Sequence, residues 1–227
     1  MQKNIPKLLV QRFKKAIESA CQVDGELQNK VLQAMLCVPR HLFIDQAIEH
    51  RAYDNDALPI GFSQTISQPS VVAIMTAHLY SIMKNQTDGF NSILEIGTGS
   101  GYQSAVLSQL WEDVYTIERI EHLHLSAQKK HQKIGIKNIH YFHGDGNQGL
   151  DSHAPFQAII ITACCTEVPL HLQSQLAING TLIAPIEYEN TQALAIYQKK
   201  QETDGTIKWD EKLICEVKFV PMLGGIQ

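Results

Sequence analysis

Apolar residues along this chain follow two rhythms, and the change falls near residue 90. Leu9, Phe13, Ile17 and Ala20 recur at helical spacing. So do Leu27, Val31, Met35 and Leu36, in a second segment that Asp24 would cap and Pro39 would close. The stretch ALPIGFSQTISQ (57–68) mixes Pro, Gly and small polar residues and reads as a loop. Pro69 suits the first turn of a third helix, which gathers Val71, Ile74, Met75, Leu79 and Ile82 on one face. From Ser92 onward, short apolar runs alternate with helical segments. SILEIG (92–97), VYTIE (114–118), NIHYFH (138–143), FQAIIIT (156–162) and TLIAPI (181–186) are the predicted strands. Runs such as AIII mark strands covered on both faces, so the pattern predicts an α/β fold with a doubly wound, mostly parallel sheet. ALAIYQK (193–199) and LICEVKFV (213–220) flank the turn Asp204-Gly205 and predict an antiparallel hairpin at the sheet edge. The expected organisation is one domain over 1–227, with a helical amino-terminal cap over 1–85 and an α/β core over 90–227.

Composition narrows the partners. The 227 residues are 44% hydrophobic, and 19 Lys and Arg against 23 Asp and Glu give a formal charge of -4. Without a basic face or a long like-charge run, no nucleic-acid partner is expected. The amino terminus, MQKNIPKLLVQRFKKAIESA, is basic, but charge interrupts its apolar residues and it lacks a signal-peptide core. With no run of about 18 apolar residues, no membrane span is expected. Cys21, Cys37, Cys164, Cys165 and Cys215 are odd in number and irregular in spacing, which fits reduced thiols in the cytoplasm. His122, His124 and His131 are expected on a solvated helix face. His140 and His143 should face opposite sides of a strand, and no zinc pattern is visible.

The sharpest chemical signal is EIGTGSGYQSAVL (95–107), in which a strand runs into Gly97, Gly99 and Gly101 and then into a helix. Such a unit lets the backbone approach a ligand while the helix start offers free N–H groups. The dinucleotide fingerprint GxGxxG would need a third glycine where Tyr102 stands. The GxGxG variant instead resembles the first motif of S-adenosylmethionine-dependent methyltransferases, and Glu95 beside it would suit the zwitterionic amino-acid end of that cofactor. Glu118 closes the next strand about 20 residues on, where an acid accepts from ribose hydroxyls in either cofactor class. Asp145 and Gly146, in HGDG (143–146), close the strand after that, and an acid here contacts adenine in methyltransferases of this fold. Ligands of such sheets sit at the carboxyl ends of the strands, so the three segments should converge.

VPRHLFID (38–45), RAYDNDALPIG (51–61), QTISQP (64–69), LEIGTGSGYQSAVL (94–107), IERI (117–120), HGDG and FVPMLGG (219–225) occur in that order. Together they resemble the protein-L-isoaspartate O-methyltransferase family, from about Val38 to the carboxy terminus. The resemblance implies a Rossmann-like methyltransferase fold and S-adenosyl-L-methionine as cofactor, with S-adenosyl-L-homocysteine as product. It also implies methyl transfer to the free α-carboxylate of isoaspartyl residues in damaged proteins and peptides. Ser67 matches the family's active-site serine, Thr65 and Ile66 would line the same pocket, and FVPM would close over substrate. A carboxylate nucleophile is already ionised at neutral pH, so Ser67 is expected to orient it by hydrogen bonding, not to attack. Taken alone, Ser67 would read as an N-cap for the helix at Pro69. A monomer is expected. The chain departs from the family at Asn147, Cys164, Cys165 and Glu187, all expected near the pocket. Two alternatives on the same scaffold are a methyltransferase with another substrate and a non-catalytic cofactor binder.

Overall fold

The computed structural model describes residues 25–84 and 91–227, together with Gln11 and Lys15. The helix expected over residues 9–20 and the Asp24 cap lie outside the described residues. Helix α1 (Gly25–Cys37) buries Leu27, Val31, Leu32 and Met35, and helix α2 (Pro69–Lys84) buries Val72, Ile74, Met75, Leu79 and Met83. Both pack on one face of the sheet, as their helical spacing requires.

Strands β3 (Ser92–Ile96), β4 (Asp113–Glu118), β5 (Ile139–His143), β6 (Phe156–Ile161), β7 (Leu176–Tyr188), β8 (Thr191–Gln201) and β9 (Ile207–Val217) form one sheet in the order β5-β4-β3-β6-β7-β8-β9. Strands β5, β4, β3, β6 and β7 run parallel, and β8 and β9 return antiparallel. Consecutive side chains point to opposite faces of a strand. Thus Ile93, Ile160, Ile183 and Ile196 pack beneath α1 and α2, while Leu94, Ile159, Leu182 and Ala195 join a second cluster on the far face. Full burial of each such chain contributes about 1.5–3 kcal/mol.

Short helices α3 (Tyr102–Leu107) and α5 (Leu170–Gln175) and the longer α4 (Glu121–Lys133) complete the alternation. The predicted edge hairpin is present as β8 and β9, which pair antiparallel from Gln192↔Val217 to Gln201↔Ile207 on either side of the Asp204-Gly205 turn. The segment 57–68 is a correction. It is not all loop: β1 (Leu58–Gly61) and β2 (Gln64–Ile66) form a small antiparallel ribbon turned by Phe62 and Ser63, both at positive φ. Alternation in so short a stretch is hidden by Pro59 and Gly61, so composition masked the pairing.

Candidate active site

The carboxyl ends of β3, β4 and β6 open into a cleft of about 850 Å³, open solvent included, and the glycine loop forms its floor. Thr65, Ile66, Ser67, Gly97, Gly99, Glu118 and Gly146 all line it, so the segments singled out by sequence do converge. Gly97 has φ +93, and a Cβ there would lie 2.5 Å from Thr162 Oγ1. Thr162, at the end of β6, donates to the carbonyl of Ile96 or of Gly97 (3.0 and 2.7 Å) and fixes the start of the loop. It lines the cleft and had no assigned role in the sequence; its place directly after the buried FQAIII run was the available signal.

Glu118 is only 5% exposed. Its Oε2 accepts from Gly99 N–H (2.8 Å) and its Oε1 from Ile120 N–H (3.0 Å), so this carboxylate both lines the cleft and holds the glycine loop. Each oxygen keeps a second lone pair for a ligand hydroxyl. The loop and the acid beside it fit an adenosyl cofactor.

Three expected residues do not line the cleft. Glu95 lies fully buried beneath the loop, accepting from the Ser104 hydroxyl and from the Thr116 hydroxyl (2.6 Å). Burial pushes its carboxyl up to about 8, beyond what the Ser104 and Thr116 hydrogen bonds restore. It therefore supports the loop from below, because the inward phase of β3 aims it at α3. Gly101 packs against the ring of His131, where a Cβ would come within 2.8 Å of Nε2. Asp145 is turned away: Oδ1 accepts from the backbone and side-chain nitrogens of Asn147 (both 2.9 Å) and Oδ2 from Gly225 N–H (2.7 Å). Burial raises its pKa, but the bonds from Gly225 and Asn147 outweigh that and lower it.

His131 also departs from expectation. It is fully buried, not solvated, and bridges the Gly101 carbonyl (2.7 Å, through Nε2) to the Tyr141 hydroxyl (2.8 Å, at Nδ1). Burial lowers its pKa to about 4, only partly offset by the Gly101 bond. The neutral ring thus donates to the last carbonyl of the glycine loop.

A second cavity adjoins the first. Ala57, Gln68, Val71, Glu216, Val217, Lys218 and Phe219 line it, and it shares Thr65, Ser67, Thr162 and Val220 with the first cleft. Ser67 therefore stands at the junction. Its hydroxyl has no hydrogen-bond partner among the described residues, and it does not cap α2. Asn55 does so instead, its Oδ1 accepting from Ser70 N–H at 3.0 Å. The carboxy-terminal segment Val220–Leu223 closes one side of the cleft. It is fixed by Cys164, whose N–H donates to Val220 O (2.8 Å) and whose carbonyl accepts from Met222 N–H (2.7 Å).

The four departing residues line neither cavity. Asn147 braces Asp145, and exposed Glu187 meets Thr166 at 3.3 Å. Cys164 and Cys165 are buried free thiols, and burial pushes Cys165 up to about 12. Among the described residues, no group of three or more His, Cys, Asp or Glu is placed to hold a metal ion, and no helix is long and apolar enough to cross a membrane.

Comparison with known proteins agrees with this geometry. The family model for protein-L-isoaspartate(D-aspartate) O-methyltransferase (PCMT) matches residues 12–227. A protein-L-isoaspartate O-methyltransferase of Alkalilimnicola ehrlichii is 43% identical over 215 residues, 94% of this chain and 93% of that protein. One of Proteus mirabilis is 42% identical over 217 residues, 96% of this chain and 99% of that protein. A solved PCMT structure from Plasmodium falciparum, in complex with S-adenosyl-L-homocysteine, shares the fold with TM-score 0.77 at 24% identity, covering 97% of this chain and 99% of that one. With the glycine loop, the acid-tipped strand and the serine-bearing loop gathered at one sheet end, the chain belongs to the protein-L-isoaspartate O-methyltransferase family.

Proposed function

We propose that the protein transfers a methyl group from S-adenosyl-L-methionine to the free α-carboxylate of L-isoaspartyl residues in damaged proteins and peptides. The observation that carries this reading is the placement of Ser67 where two cavities meet, one bounded by the glycine loop and Glu118, the other by Glu216–Val220. When bound, S-adenosyl-L-methionine supplies a methyl group on a sulfonium, so displacement by a carboxylate oxygen leaves a neutral thioether. Glu118 accepts the ribose hydroxyls, while Gly97 and Gly99 let the backbone lie close to the cofactor. Asp145 braces the carboxy-terminal segment, and Gly146 lines the adenine side. Thr65 and Ile66 wall the cleft beside the methyl donor. Ser67, at the junction of the two cavities, would donate to the substrate carboxylate and orient it toward the cofactor cleft. No general base is needed, since an α-carboxyl with a pKa of about 3.3–3.7 is ionised at neutral pH. Val220–Leu223 limits access of water, which would compete for orientation. The product ester closes to a succinimide, whose hydrolysis returns part of the material to normal aspartate. The second cavity has room for an extended peptide. We take the enzyme to act as a monomer in the cytoplasm, without nucleic acid or membrane; its formal charge of -4 supports the second point.

Methyl transfer from radiolabelled S-adenosylmethionine to a matched peptide pair tests the proposal. Base-labile ester on the isoaspartyl peptide alone is expected. Equal or absent labelling of both peptides, with S-adenosylhomocysteine still bound, would point to another substrate or to a non-catalytic binder.

A further inference from the structure

Arg40 is the largest polar side chain in the interior, with no exposed surface. It lies in the short turn Arg40–Phe43 that follows α1, and it lines neither cavity. Among the described residues, no carboxylate lies within ion-pair distance of it. Its guanidinium instead fans out to backbone carbonyls: Nε donates to Ala52 O (2.9 Å), and Nη2 to Ser67 O (2.7 Å) and, at 3.5 Å, to Asp56 O. Its plane sits over the ring of Tyr102, 4.8 Å from the centroid. Tyr102 opens α3 directly after the glycine loop and lines the cofactor cleft. Among the described residues, Nη1 has no hydrogen-bond partner.

A buried cation with no counter-ion and an unsatisfied nitrogen is a poor stabiliser, since desolvation exceeds what its contacts return. Burial lowers the Arg40 pKa only to about 10, so it stays charged at neutral pH. What the arrangement achieves is geometric. The Ser67 carbonyl precedes α2, whose first amides go elsewhere, Ser70 N–H to Asn55 Oδ1 and Val71 N–H and Val72 N–H to Gln68 O, so they give the Ser67 carbonyl no donor. Arg40 fixes that plane, and through Ala52 and Asp56 it fixes the strap that leads into β1. The contact with Tyr102 ties the same strap to the cofactor side.

We infer that Arg40 is a positioning residue for methyl transfer, holding the Ser67 peptide so that the hydroxyl meets substrate at the junction of the two cavities. This rests on the proposed role of Ser67. Side chains that act through one another are non-additive, which gives the test.

The Arg40→Met variant keeps the apolar stem and removes every donor. For the isoaspartyl peptide, kcat should fall roughly 10- to 100-fold, while the S-adenosylhomocysteine Kd by calorimetry stays within about threefold. Placed in a Ser67→Ala background, Arg40→Met should cost no more than about a further threefold. Unchanged kcat overturns the inference. So does a full, additive loss in the Ser67→Ala background, and so does a loss of cofactor affinity as large as the loss of kcat. If Arg40→Met does not fold, Arg40→Lys replaces it in the same cycle; it keeps charge and stem but cannot bridge Ala52 and Ser67, and the same outcomes decide. Wild-type protein that methylates no isoaspartyl peptide would bring down the functional reading itself; wild-type activity with an unaffected Arg40→Met variant brings down the positioning role alone.

Discussion

The two halves of the cleft are built in different ways. On the cofactor side, the parts come from the ends of buried parallel strands, and backbone bonds fix the loop, Gly97 N–H and Thr98 N–H to the Ile117 carbonyl and Thr162 N–H to the Ile96 carbonyl. The Glu118, Thr162 and His131 side chains bond further backbone groups of it. On the substrate side, the wall is assembled from parts far apart in sequence, the stretch from Ala57 to Val71, Thr162 and the stretch from Glu216 to Val220. Arg40 and Asn55 hold the first of these, at Ser67 O and Ser70 N–H, and the backbone of Cys164 holds the last, at Val220 and Met222. The first half resists change because the sheet dictates it. The second depends on a few side chains, so it should tolerate substitution in folding while losing precision in catalysis.

The sharpest break on the cofactor side is Gly97→Ala. A Cβ 2.5 Å from Thr162 Oγ1, on a residue at φ +93, forces the loop to move. S-adenosylhomocysteine affinity should fall at least about 100-fold by calorimetry, since strain of this kind costs on the order of 1–3 kcal/mol before the clash is counted. Next comes the prop beneath the loop. His131 has a pKa of about 4 when folded, against 6.5 when free. It contributes stability fully above pH 6.5, and that stability is lost as pH falls from 6.5 through 4, because the unfolded chain takes up the proton first. The loss is at most about 1.4 kcal/mol per pH unit. His131→Gln should flatten this part of the melting-temperature profile; equal slopes for both proteins would refute the assignment.

Glu118→Ala removes a charged acceptor from Gly99 N–H and Ile120 N–H and, in the proposed binding mode, from the ribose, and should weaken S-adenosylhomocysteine binding roughly 10- to 100-fold, as hydrogen bonds to charged groups contribute about 1.5–3 kcal/mol. Unaltered affinity would show that the acid serves only the loop's own fold. On the substrate side, Ser67→Ala should lower kcat about tenfold, the worth of one neutral hydrogen bond, with cofactor affinity nearly unchanged. Full activity would leave Ser67 as lining only. A comparable loss of cofactor affinity would show that the two halves are not separable as described.

Much of this was written in local pattern. Ile93, Ile160 and Ile183 announced buried strands, and the glycine loop, Glu118 and Gly146 fell at strand ends because a parallel sheet must place them there. What failed were statements about direction. Glu95 and Asp145 were correctly spaced acids, yet Glu95 points beneath the loop and Asp145 toward Gly225, since a one-residue phase or a local turn decides which way a side chain faces. His131 looked solvated among its charged neighbours, but the inner face of α4 carries it against Phe43 and Tyr141.

The sequence by itself determined the family, the order of the elements and the residues that gather at the carboxyl ends of the strands, because hydrophobic period and glycine placement act over short range. Only the tertiary structure decided that Asn55 caps α2 and leaves the Ser67 hydroxyl free, that Cys164 anchors the carboxy-terminal wall, and that a buried Arg40 holds the Ser67 carbonyl. Those contacts join residues 15 to 58 positions apart. Nothing local in the chain specifies them, and they exist only once the core has brought their segments together.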